Sequence, residues 1–205
     1  MKMKKIGITG GVGSGKSRVL EFLEEECGAH VCQADILAHQ VQRPGSECYQ
    51  KMTEYFGEEI VGPEGFIDRD TLGSIVFSDR IKLQKLNAMV HPAVNNEILR
   101  LMKEEERKGT RLFVLEAALL TEKQYRDMLD EIWYIYTRAE VRRRRLKESR
   151  GYTDEKIESI FASQVSENVY REKCDRVIDN SGLFSVTEAA IKKALQEESD
   201  RRVDS

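Results

Sequence analysis

The sequence predicts an α/β domain built on a five-stranded parallel sheet, and three observations carry that prediction. Short apolar runs suited to buried strands recur at 3–9, 29–32, 111–116, 132–136 and 176–179, with helical patterns between them. Strands that alternate with helices pair in parallel and are covered on both faces. A glycine-rich turn joins the first run to the first helical pattern. The second and third runs are separated by 46–108, which is mostly helical and too long for a simple crossover, so an inserted helical domain over the carboxyl ends of the strands is expected there. A chain of 205 residues accommodates one domain with such an insertion.

The elements follow in order. Strand 3–9 leads into a helix at 16–27, where Val19, Leu20, Phe22 and Leu23 fall on or near one face and Gly28 supplies the stop. After strand 29–32, residues 34–41 read as a helix ended by Pro44-Gly45, and another helix covers 46–56. Gly62-Pro63 and Gly65 make 57–68 a loop or small hairpin. Residues 70–77 and 79–108 are helical, with His91-Pro92 expected to break or kink the second stretch. Strand 111–116 ends in a carboxylate, 122–129 is a short helix, and 132–136 is rich in aromatic and β-branched residues. Helices at 139–149 and 154–169, strand 176–179, a final helix at 185–198 and a fraying polar tail at 199–205 complete the chain. The domain division that results is a core of 1–45, 109–137 and 170–205, a helical substrate domain of 46–108 and a helical lid of 138–169.

Composition narrows the function. Charged residues make up 34% of the chain, above the usual quarter, and the formal net charge is −3. That balance counts against general nucleic-acid binding, which favours a basic domain. No apolar stretch approaches the length of a membrane span, and the opening MKMKKIGITGG runs into glycines before it could form a secretory signal. Cys27, Cys32, Cys48 and Cys174 form no C-x-x-C pair and, with three histidines, no zinc pattern. Free thiols in a reducing, cytoplasmic setting are expected.

Residues Gly10–Ser17 read GGVGSGKS and match G-x-x-x-x-G-K-[ST] in its required setting, strand before and helix after. Glycines let the loop turn so that backbone N–H groups face phosphate oxygens, and the helix that follows presents its positive end to the same anion. Gly11, Val12, Gly13, Ser14, Gly15, Lys16 and Ser17 are therefore candidate ATP-binding residues. Lys16 would reach the β- and γ-phosphates, and the Ser17 hydroxyl would ligate Mg²⁺. The motif calls for a nucleoside triphosphate with magnesium and leaves the acceptor open. No N-K-x-D or T-K-x-D guanine reader follows, and only one acid, Glu116, ends the third strand, where helicases and motor ATPases carry a pair. A small-molecule kinase fits the length best.

Segment 138–150 sets seven basic residues (Arg138, Arg142, Arg143, Arg144, Arg145, Lys147 and Arg150) against Glu140 and Glu148. Such a run is a solvated face, a nucleic-acid patch, or a lid that brings cations to a phosphate. Arg142 and Arg145 are three apart and share a helix face, whereas Arg143 and Arg144 point elsewhere. On the acceptor side, Asp35 lies just beyond the second strand, where a carboxylate can take the proton of an attacking hydroxyl or simply cap a helix. His39 is one turn further on the same face. His91 and Glu116 are further candidates for substrate contact, and Glu116 can also hold Mg²⁺ through water.

Together, IGITGGVGSGKS, ADILAH at 34–39, His91-Pro92, FVLEAALLTE at 113–122 and CDRVIDNSG at 174–182 resemble, in order, the dephospho-coenzyme A kinase family. The resemblance implies a P-loop kinase core with a helical substrate domain and a lid, transferring the γ-phosphoryl group of ATP to the ribose 3′-hydroxyl of dephospho-CoA. Carried over by position, it makes Asp35 the base, places 142–145 in the lid with an Arg-Leu pair at Arg145-Leu146, and sets Asn180 near the adenine of ATP. On this footing Lys16, Asp35 and Arg145 are the catalytic candidates and Arg142 and Asn180 join the ATP site. The sequence departs from the family at Gln33, where an acid is common, at Glu116 for Asp, at Ala118 for Pro and at Ile160 for Arg. Another nucleoside or nucleotide kinase, or a nucleic-acid-associated NTP-binding module, are the alternative readings.

Overall fold

The computed structural model describes residues 2–118, 120 and 123–201. Five strands, β1 (Lys4–Thr9), β2 (Ala29–Gln33), β3 (Leu112–Glu116), β4 (Glu131–Tyr136) and β5 (Arg176–Asp179), form one sheet in the order β2-β3-β1-β4-β5. β1 pairs in parallel with β3 on one side and β4 on the other, and β4 pairs in parallel with β5. The near-continuous burial of β1, β3 and β4 is what a sheet covered on both faces requires. Ile6, Ile8, Val114, Trp133 and Ile135 pack against Val19, Leu20 and Leu23 of α1 (Lys16–Glu25) and Ile191 and Ala194 of α10 (Phe184–Arg201). Because β1 is central, the turn that leaves it stands mid-sheet.

The chain forms two compact units. One comprises the residues up to Val31 and those from Thr110 onward, and so carries most of the sheet together with 138–169, the stretch expected as a lid. The other is Cys32–Gly109. It begins at Cys32 rather than at 46, because α2 (Ala34–Gln40) packs on the long α5 (Arg80–Lys108), as do α3 (Glu47–Phe56) and α4 (Arg69–Phe77). Three of these helices start at side-chain caps: Ser46 accepts from the Tyr49 N–H, and Asp68 and Asp79 each accept from two N–H groups of the first turn. The expected small hairpin is present as a bridge between Val61 and Ile67 beside a 3-10 turn at Glu58–Ile60.

Pro92 does not break α5, contrary to the sequence expectation. Val90, Val94, Ile98 and Met102 bury one face of the helix. Pro92 and Ala88, whose carbonyl loses its usual donor to the proline, lie on the exposed face, where solvent meets the cost. A second correction concerns 154–169, expected as one helix. It is two, α8 (Asp154–Ser163) and α9 (Glu167–Lys173), because Gln164 and Ser166 are extended. Among the described residues between β3 and β4, a single helical turn, α6 (Lys123–Arg126), is present; Leu119, Thr121 and Glu122 of the expected loop and helix lie outside the described residues, as does 202–205 of the tail.

Candidate active site

The phosphate loop runs from the end of β1 into α1, and Gly15 stands at the N-cap with φ 80° and ψ 24°, a left-handed geometry that L side chains resist. No acid occupies the first turn of α1, so the positive end of the helix is unopposed. Lys16 opens the helix. Its Nζ donates to the Gly10 carbonyl at 2.7 Å and lies 3.8 Å from Glu116 Oε1 at the end of β3. The first residue of α1 and the last of β3 thus bring a cation and a carboxylate to one edge of the loop. Ser17, next on the helix, is exposed.

Three elements far away in sequence hold the loop from behind. The Ser14 carbonyl receives Asn180 Nδ2 at 2.8 Å, Thr137 Oγ1 at 2.9 Å and Arg145 Nη1 at 3.2 Å. Asn180 is 2% exposed, accepts from Thr187 Oγ1 through its own oxygen at 3.0 Å and offers its carbonyl to Arg145 Nη2 at 2.9 Å. Its side chain braces the loop from behind. An ideal Cβ on Gly15 would lie 2.5 Å from Asn180 Nδ2, so the brace also requires glycine there.

α7 (Ala139–Arg150) distributes its arginines among different partners. Arg142 Nε donates to the Val12 carbonyl at 2.9 Å, Nη2 donates to Gln164 Oε1 at 2.5 Å, and the guanidinium lies over the Phe161 ring at 4.3 Å. Arg145 meets Ser14 and Asn180. Arg143 turns away to ion-pair with Asp154 and Glu158, and Lys147 joins Asp154 at 2.8 Å. Burial is the main cause that pulls the Arg142 and Arg145 guanidinium pKa values below the ordinary arginine range; for Arg145 the charges of Arg144 and Arg18 add to it. Both groups remain cations, since arginine does not deprotonate in proteins. A partly desolvated cation acts on a nearby anion more strongly than an exposed one.

Of the acceptor-side candidates, Glu116 ends β3 in the first unit, and Asp35, His39 and His91 fall in the other. Asp35 is exposed in the first turn of α2 and follows β2 directly; His39 is exposed in the last turn. His91 is exposed on α5. No hydrogen bond or ion pair links the three among the described residues, and no His, Cys, Asp and Glu cluster there is suited to a metal ion. No described helix is long and apolar enough to cross a membrane. Sequence reasoning missed Thr137, Phe161 and Gln164. Thr137 and Gln164 each lie just beyond an element end and Phe161 in the last turn of α8, with no motif to flag any of them.

The unit around β1 thus brings together a glycine loop at a helix N-terminus, a lysine and two partly desolvated arginines, an arrangement suited to a polyphosphate. Comparison with known proteins agrees. Residues 4–185 match the family model described as dephospho-CoA kinase. A dephospho-CoA kinase of Carboxydothermus hydrogenoformans is 40% identical over 93% of this chain and 92% of its own length. Another, of Symbiobacterium thermophilum, is 38% identical over 94% of this chain and 80% of its own. A crystal structure from Thermus thermophilus superposes with a TM-score of 0.78 at 33% identity, covering 96% of this chain and 98% of that one.

Proposed function

We propose, because this chain belongs to the dephospho-CoA kinase family, that it transfers the γ-phosphoryl group of ATP to the ribose 3′-hydroxyl of dephospho-CoA, giving coenzyme A. The observation that carries the reading is the cradle itself, where Lys16, Arg142 and Arg145 converge on a loop shaped for phosphate. Phosphoryl transfer asks a protein mainly for positioning and charge stabilisation, and this is what the cradle supplies. Lys16 is held at the end of β1, ready to exchange the Gly10 carbonyl for phosphate oxygens. Arg142 and Arg145 bring charge from α7, which acts as the lid.

Asp35 is assigned the proton of the attacking hydroxyl. It stands just past the carboxyl end of a sheet strand, where open α/β sheets take their ligands, and its side chain is exposed. His39, one turn along, and His91 are assigned to acceptor binding. The donors around Lys16 fit Mg²⁺: the Ser17 hydroxyl and the Glu116 carboxylate are hard oxygens of the kind that share this ion with nucleotide phosphates and water. Bound there with ATP, Mg²⁺ would neutralise charge on the outer phosphates. A cytoplasmic setting is assigned as well, and the four free cysteines support it.

The test is phosphate transfer from ATP to dephospho-CoA, with adenosine and AMP as alternative acceptors. Turnover on dephospho-CoA alone supports the assignment. Preference for adenosine or AMP would redirect it to another nucleoside or nucleotide kinase.

A further inference from the structure

Gln164 stands in the extended joint between α8 and α9, with φ −85° and ψ 157°, and its side chain reaches back to the phosphate loop. It accepts from Arg142 Nη2 through Oε1 at 2.5 Å. An arginine only donates, so the amide oxygen must be the atom that faces it, and this fixes the direction of the NH₂ group. That nitrogen, Nε2, is buried and has no hydrogen-bond partner among the described residues. The amide oxygen lies against the loop: an ideal Cβ on Gly11 would come within 2.7 Å of Gln164 Oε1 and 2.6 Å of Arg142 Nη2. The backbone at Gly11 thus leaves room for these two side chains and for nothing larger.

A buried donor without an acceptor costs stability, and natural proteins keep few of them. Its immediate neighbours point to an anion. Arg142 uses two of its five N–H donors, on Val12 and Gln164, and has others in the same fork. The Phe161 ring fixes the plane of that fork from one side. Among the described residues no carboxylate is hydrogen-bonded to either side chain, and Glu167 acts on Arg142 only through its charge.

We propose that Gln164 is a nucleotide-binding residue, its carbonyl holding the Arg142 fork in place while its amide donates to an outer phosphate oxygen of ATP. This deepens the kinase reading and rests on it for the identity of the nucleotide. It also gives the joint between α8 and α9 a purpose. A continuous helix through Gln164 would carry the side chain away from the loop on the helix surface.

The experiment is calorimetric titration of the full chain with ATP and with AMP, which lacks the outer phosphates. Gln164→Glu keeps an acceptor for Arg142, removes the NH₂ donor and sets a negative charge where the phosphate oxygen would lie. ATP affinity is expected to fall by at least about tenfold, the worth of a hydrogen bond to a charged group, with AMP affinity unchanged. Gln164→Leu, lacking donor and acceptor, is expected to lose at least as much. Wild-type ATP affinity in Gln164→Glu with loss in Gln164→Leu would overturn the proposal, leaving Gln164 as a prop for Arg142 only. Equal loss for ATP and AMP would overturn it in favour of a general structural role. Should Gln164→Leu fail to fold, the near-isosteric Glu variant decides alone. A wild-type chain that binds ATP but leaves dephospho-CoA unphosphorylated defeats the acceptor assignment and leaves the Gln164 result standing.

Discussion

Substituting Gly15 by alanine tests whether the phosphate loop is shaped by the brace behind it. Two costs are read from the structure. At φ 80° an L residue is strained by about 1–2 kcal/mol. The new Cβ would stand 2.5 Å from Asn180 Nδ2, which must withdraw and give up its 2.8 Å bond to the Ser14 carbonyl. Stranding a buried amide costs about 1–3 kcal/mol. Gly15→Ala is therefore expected to destabilise by about 2–5 kcal/mol. In an Asn180→Ala background the clash is gone and the loop keeps Thr137, so the same substitution should cost only the backbone strain, about 1–2 kcal/mol. Urea denaturation of the four proteins closes the cycle, with a coupling of about 1–3 kcal/mol between the two sites. Costs that add within about 0.5 kcal/mol would refute the reasoning, because independent sites behave that way.

Lys16→Ala should abolish nearly all transfer while the far-UV spectrum and melting temperature stay close to wild type; turnover near wild type would remove the loop from the site. Asp35→Asn should lower kcat by about 10²-fold or more, the lower part of the range for a positioned base, with ATP affinity unchanged. A rise in the KM for dephospho-CoA alone would make Asp35 a binding residue. Arg145→Lys, which cannot serve Ser14 and Asn180 with one planar fork, should lose much of kcat at saturating substrates, whereas Arg143→Lys, on the far side of α7, should be nearly silent. Equal, small losses in both would reduce the cluster to a solvated face.

What was legible in the sequence was what neighbouring residues decide. The run from Met3 to Ser17 carries its strand, turn and helix in order, so both the sheet's central strand and the cradle could be read directly. The three-residue spacing of Arg142 and Arg145 likewise forecast that they share a face, and both meet the loop. Contacts made across the chain were not legible. Asn180 matched the family by position, yet only the fold shows that its side chain sits behind the loop, buried against Ser14 and Thr187. The continuity of α5 through Pro92 depends on which face the proline occupies, and that is set by helices packed on the opposite side. The joint at Gln164 has no proline or glycine to announce it, because what ends α8 there includes a bond to an arginine on another helix.

The fate of the basic segment also separates the two classes of function that the sequence left open. A face that binds nucleic acid must offer several cations to phosphates at once, since each neutralised phosphate contributes to the affinity and to its salt dependence. In 138–150 Arg144 is exposed, and most of the other charges are already committed. Arg143 and Lys147 are paired with acids of α8, and Arg142 and Arg145 are turned inward, partly desolvated, onto backbone carbonyls of the loop. Arg138 lies 3.6 Å from Glu140, and Arg150 lies over Tyr152. A segment that reads as strongly basic thus presents few cations outward and concentrates two of them where a triphosphate would lie. A site for one small polyanion needs that arrangement; a surface for an extended polyanion would be weakened by it.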